Sequence, residues 1–130
     1  MPDVVGKQQT DGAGEVEASG LVADTFPGKS TQPAGTIVSE SPAAGTPVKA
    51  GQTVRLNVSA GNGTQPAKTV PDVVGKKAAA ARTALWTASF TVHTTYRSGS
   101  KAQVGTVLSQ QPSGGASAPT YSQITLTVGR

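Results

Sequence analysis

Ser98-Gly-Ser-Lys101 fits the S-x-x-K spacing in which a serine attacks and a lysine one helical turn later helps to take its proton. That chemistry needs a helix under the pair and companion S-x-N and K-T-G segments. Here the four residues sit in a Gly/Ser stretch after a strand-like run, and neither companion occurs. Gly28-Lys-Ser30 resembles the end of a phosphate-cradling loop, but Ala23 stands where its first glycine is required and no βαβ pattern surrounds it. His93 is the only histidine and has no carboxylate or cysteine at ligand spacing. It reads as a partly exposed strand residue rather than a base or metal ligand. With no cysteine, disulfides and thiolate metal sites are excluded. The chain reads as non-catalytic, with no metal and no cofactor.

Charge carries more. Residues 1–61 hold four Lys/Arg against six Asp/Glu, a net of −2. Residues 70–130 hold six Lys/Arg against Asp72 alone, a net of +5, and Lys68 lies between. The basic half, with Lys76, Arg82, Arg97 and Lys101, suits carboxylate or phosphate groups, and Arg offers them a planar fork. The plainer reading is a solvated surface that aids solubility. The sequence pI of about 9.7 alone does not make a nucleic-acid binder. No recognition motif or Arg-rich helix supports a specific nucleic-acid partner.

These residues are positioned by a repeat. "PDVVGK" occupies residues 2–7 and again 71–76. "GTIVSESP" at residues 35–42 faces "GTVLSQQP" at 105–112, and "TVRLNV" at 53–58 faces "QITLTV" at 123–128. Three ordered matches at an offset of 69, then 70, residues mark two copies of one unit with one inserted residue. The units are residues 1–61 and 70–130, and residues 62–69 are a Gly/Asn/Thr/Pro-containing linker. At about 60 residues each unit buries only about 60% of its extended surface, a small but viable core. The start at Met1-Pro2, where the second copy reads Val70-Pro71, is expected to be a trimmed domain boundary. The chain has no apolar run of the ~20 residues a membrane span needs and no signal peptide.

Each unit opens with a helix. "KKAAAARTALWTAS" places Ala78, Ala81, Leu85 and Ala88 on one stripe. In the first unit Gly12 and Gly14 together cost about 2 kcal/mol relative to alanine, which predicts a shorter or more frayed helix. Three strands follow in each unit, over residues 21–26, 36–40 and 54–58 and again over 90–96, 106–110 and 124–128. The last pair shows strict period-two alternation, as in Val54, Leu56 and Val58 against Arg55 and Asn57. "PAAG" and "PSGG" supply turns. The fold class expected is α+β, two tandem small repeats, each one helix packed on a three-stranded β-sheet. Phe26, Phe90, Leu85 and Leu126 are expected in the core. Trp86 points about 100° around the helix from the stripe, and Glu17 holds its place in the first copy. It is either an exposed platform for a ligand or a residue that closes the core edge or packs on the other repeat. Tyr96 and Arg97 end a strand and form a plausible lip for a ligand.

The "VPDVVG" opening, the helix ending near "ASGL", "GTVLSQQP" and the closing "VRLNVSAG" together resemble PASTA domains, the repeats associated with penicillin-binding proteins and serine/threonine kinases. The resemblance covers both units. Ser89 in place of Gly20, a long linker and the individual "GGASAPTYSQ" loop depart from the pattern; the linker argues against a rigid rod. The resemblance implies one helix on three strands, in a bacterial, Gram-positive cell-wall protein. It implies an extracytoplasmic, cell-surface fragment of a membrane-anchored parent that binds peptidoglycan fragments (muropeptides) or lipid-linked wall precursors. Spacer or protein-docking roles are the alternative. The candidate ligand-binding residues are Arg97, Lys101, Lys76, Arg82, Trp86 and Tyr96, and two weak grips on one polymer would give the repetition a purpose.

Overall fold

A computed structural model describes residues 1–63, 65–98 and 103–130. The first repeat runs α1 (Gln9–Ala18), β1 (Val22–Gly28), β2 (Ile37–Ser41) and β3 (Thr53–Ser59). After it, β4 (Ala67–Thr69) leads into α2 (Ala78–Thr87), β5 (Thr91–Arg97), β6 (Val107–Gln111), β7 (Ser117–Pro119) and β8 (Gln123–Gly129). The alternating segments become the central strands, β3 and β8. β3 sits between β1, parallel to it, and β2, antiparallel. β8 sits likewise between β5 and β6. Val54, Leu56 and Val58, and Ile124, Leu126 and Val128, are all fully or almost fully buried under the helices. The α+β reading, with one helix on three strands twice over, describes the molecule.

The linker is not bare coil. Its last residues form β4, which pairs antiparallel with β7. The Thr120 hydroxyl donates to the Pro66 carbonyl at 2.6 Å. The second repeat's individual loop therefore carries the strand that ties the linker down.

Two expectations need correction. α1 is as long as α2, ten residues each. Helices are held chiefly by packing of their buried face rather than by propensity, and Gly12 serves that packing. A methyl group there would collide with Ile37 Cδ1 and come within 3.1 Å of Val4 Cβ. Gly14 faces open space. Phe26 is only half-buried, unlike Phe90, Leu85 and Leu126. It stands near the outer end of β1, with the Arg55 guanidinium 3.9 Å above its ring and the His93 ring 5.5 Å away.

The repeats differ at one buried polar position. Gln110 accepts from Val73 N at 2.7 Å and donates to the carbonyls of Pro71 and Pro112. Its counterpart is Glu40, whose Oε2 is buried without a partner. A carboxylate has no proton to donate, so the second half of the Gln110 arrangement fails. Burial is the largest cause that raises the Glu40 carboxyl above 4.5; the Val4 N–H bond opposes it and neighbouring Asp3 adds to it.

Gly12→Ala is expected to cost about 1–3 kcal/mol through overpacking, while Gly14→Ala should gain up to about 1 kcal/mol; chemical denaturation of the two variants distinguishes them. Because the folded pKa of Glu40 is raised, its favourable contribution is full below pH 4.5 and is lost as pH rises through the folded value. Glu40→Gln should remove that decline and stabilise the first repeat by about 1 kcal/mol at neutral pH. Unfolding measured from pH 4 to 8 checks both the gain and its slope.

Candidate functional site

β1 and β5 are each the edge strand of their sheet, and an edge exposes a row of unpaired N–H and C=O groups. Here the two edges face each other and side chains bridge them. Thr25 Oγ1 accepts from Val92 N at 2.6 Å and from the Trp86 indole at 3.1 Å. Asp24 Oδ1 accepts from Thr94 N, and its Oδ2 lies 2.9 Å from His93 Nδ1. The Gln123 amide donates to the Thr25 carbonyl. The contacts step in opposite directions along the two strands, as in an antiparallel pairing widened by one layer of side chains.

The helices close the same seam. The Glu17 carboxylate takes Arg82 Nε and Nη2 on Oε1, both at 2.9 Å, and Ala23 N on Oε2. Arg82 is 5% exposed. Gln9 donates to the Phe90 carbonyl at 3.0 Å. Part of the charge opposition between the repeats is thus consumed between them, where Glu17 meets Arg82.

The seam reassigns several expected site residues. Arg82, expected to hold anions, is buried and already paired with Glu17. Trp86, considered as an exposed platform, is 2% exposed and packs on the other repeat through Thr25. His93 has a carboxylate partner after all; Asp24 lies 69 residues away in sequence, so no spacing along the strand could show it. Lys76 is exposed beside β6, where its carbonyl accepts from Val107 N. Tyr96 and Arg97 are exposed at the end of β5. Lys101 and most of the Ser98–Lys101 motif lie outside the described residues. Sequence reading missed Arg130, whose guanidinium stands 5.5 Å over the Tyr96 ring and whose N–H bonds to the Arg97 carbonyl. Its place as the last residue of the chain offered no signal.

Two clefts open at the seam. One, about 420 Å³, lies between Pro27 and Lys29 of the first repeat and Pro119 and Tyr121 of the second. The other, about 510 Å³, is walled by Tyr96, Val104 and Arg130 of the second repeat and by Gly51 and Thr53 of the first. Tyr96 and Val104 are 43% and 53% exposed. The second cleft therefore combines apolar walls with a cationic rim, a combination suited to an anion carried on an apolar body.

The family model described as PASTA domain matches residues 1–60 and 68–130. The chain belongs to the PASTA domain family. A probable serine/threonine-protein kinase of Streptomyces coelicolor is 30% identical over 132 residues, 100% of this chain and 19% of the kinase. The serine/threonine-protein kinase PrkC of Bacillus subtilis is 35% identical over 133 residues, 98% of this chain and 20% of the kinase. A solved three-PASTA-domain structure of a Ser/Thr kinase from Staphylococcus aureus is 20% identical with a TM-score of 0.44, covering 99% of this chain and 66% of that one. The chain spans about a fifth of the length of the curated relatives it matches. No helix among the described residues is long and apolar enough to cross a membrane.

In this PASTA pair Thr25 is the residue on which the seam turns, since one hydroxyl serves two buried donors. Thr25→Val keeps the shape and leaves Val92 N and Trp86 Nε1 unpaired. It should cost about 2–6 kcal/mol at 1–3 kcal/mol for each orphaned donor. Trp86 fluorescence should shift to the red as the seam opens, read by emission spectra alongside thermal unfolding.

Proposed function

We propose that this PASTA pair is a non-catalytic, extracytoplasmic module of a membrane-anchored serine/threonine kinase or penicillin-binding protein, and that its second repeat binds peptidoglycan fragments or lipid-linked wall precursors. The observation that carries the reading is the gathering of exposed Tyr96, Arg97 and Arg130 at one end of the second repeat, beside an open cleft. Arginine forks suit stem-peptide carboxylates and the pyrophosphate of precursors. Lys76 and Lys101 would extend the cationic field, whereas Arg82 and Trp86 would act by holding the repeats together. A shallow site of this kind binds with a Kd in the high micromolar to millimolar range, about 4–6 kcal/mol. The distance between two grips on a polymer would follow from the seam rather than from the reach of the linker.

The seam also favours a second reading. Two repeats bonded edge to edge make a stiff unit, which suits a spacer or a protein-docking module with no wall ligand. A ¹⁵N-HSQC titration with defined muropeptides separates the two. Saturable shifts at Tyr96, Arg97 and Arg130, weakened in Arg97→Ala/Lys101→Ala, are the expected result. No shifts at millimolar muropeptide would leave the spacer reading.

A further inference from the structure

The two clefts are related by the same internal symmetry that relates the repeats. Tyr121 and Gly51 occupy one position of the repeat: Tyr121 N donates to Ser89 O at 2.6 Å, as Gly51 N donates to Gly20 O at 2.7 Å. Both backbones are left-handed, with φ of 66° and 79°. A tyrosine rarely adopts that conformation, which glycine takes freely. Tyr121 holds it while its side chain crosses the seam to cover Gly35. A methyl group on Gly35 would collide with the Tyr121 hydroxyl and lie 2.9 Å from the ring carbon that bears it. Gly105 is the counterpart of Gly35, with Gly105 N on Gly129 O matching Gly35 N on Ser59 O. Among the described residues, nothing lies within 4 Å of the same spot beside Gly105. The second cleft is therefore the first cleft with its tyrosine removed, and Gly51 is the vacancy.

We propose that this open cleft, between Gly51 and Gly105, binds a flat aromatic ring that carries an anionic end. The chain itself supplies the template for the ring, because Tyr121 fills the equivalent space in the other cleft. The anion follows from one of two exchanges under the same symmetry. Lys77 stands where Gln8 stands, at the same extended N-cap position with the same β-bridge to the following segment. In the first cleft Gln8 Oε1 lies 2.8 Å from the spot beside Gly35 that Tyr121 covers. Arg130 stands where Ala60 stands, and it lines the open cleft. A methyl group is replaced by the exposed Arg130 guanidinium, while Lys77 is not among the residues that line the open cleft, so Arg130 is the group that favours a carboxylate or phosphate over a phenol at the far end. Exposed Tyr96 and Val104 form the walls the ring would cover.

This inference does not rest on the wall-ligand reading; either can fail alone, since the probes differ. The probes are N-acetyl-L-tyrosine, which carries ring and carboxylate, N-acetyl-L-tyrosinamide, which lacks the charge, and N-acetyl-L-alanine, which lacks the ring. Followed by ¹⁵N-HSQC, N-acetyl-L-tyrosine should shift the amides of Gly51, Gly105 and Gly129 saturably. The amide should bind roughly threefold to fivefold more weakly, the range of one exposed charge contact. N-acetyl-L-alanine should leave the spectrum unchanged. Gly51→Tyr should cover Gly105 as Tyr121 covers Gly35 and abolish the shifts, and Arg130→Gln should erase the preference for carboxylate over amide without disturbing the fold. Absence of shifts at ~50 mM N-acetyl-L-tyrosine, equal response to N-acetyl-L-alanine, or unchanged affinity in a folded Gly51→Tyr or Arg130→Gln variant would overturn the proposal.

Discussion

Every three-stranded sheet with one central strand leaves two edges, and this chain contains two such sheets. In each, the segment before the helix covers the outer strand: Gly6 N donates to Ile37 O and Ile37 N to Lys7 O, and Gly75 N, Val107 and Lys76 O repeat the arrangement. The inner edges, β1 and β5, have no such cover within their own repeat. Buried donors without partners cost about 1–3 kcal/mol each, so the edges must either face water or find partners. Asp24, Thr25 and Glu17 provide them. The rest of the arrangement follows from that constraint. Trp86 can be buried because Thr25 accepts its indole proton, and Arg82 can be buried because Glu17 neutralises it.

The seam is symmetric in backbone and asymmetric in chemistry. Thr25 and Thr94 are counterparts, yet Thr25 serves two donors while Thr94 Oγ1 has no hydrogen-bond partner. The first repeat contributes the carboxylates and the second contributes Arg82 and His93. A duplicated unit that kept the first repeat's side chains would set aspartate against aspartate at positions 24 and 93. Glu17 and Trp86, Ala13 and Arg82, and Asp24 and His93 are counterparts, and the attachments run from Glu17 to Arg82 and from Asp24 to His93. The difference between Tyr121 and Gly51 puts a tyrosine over Gly35 beside one cleft and, among the described residues, leaves the spot beside Gly105 in the other uncovered.

Much of each repeat was legible in the sequence because its determinants are local. Val54, Leu56 and Val58 alternate within five residues, the alanine and leucine stripe of α2 fits within three turns, and the matched segments show the copy directly. Gly12 misled for the opposite reason. Its role is to let Ile37 approach α1, and nothing in its neighbours announces a strand 25 residues away. Phe26 misled because alternation assigns a face but not how far along the strand the core extends. The resemblance carried the family, which the match over residues 1–60 and 68–130 bears out.

The site was less legible. Tyr96, Arg97 and Lys76 are as exposed as a polar or strand-end position suggests, but Arg82 and Trp86 look the same in sequence and are buried. Composition, alternation and repetition are one-dimensional signals, and they determined two α+β units, their strands and their opposite net charge. Which charges meet, which edge strand covers which, and which of two equivalent glycines a tyrosine covers depend on residues about 60 to 100 positions apart brought together by the pairing of whole sheets. Only the tertiary structure decided those, because the free energy of an edge hydrogen bond or a buried ion pair exists only once both partners are placed.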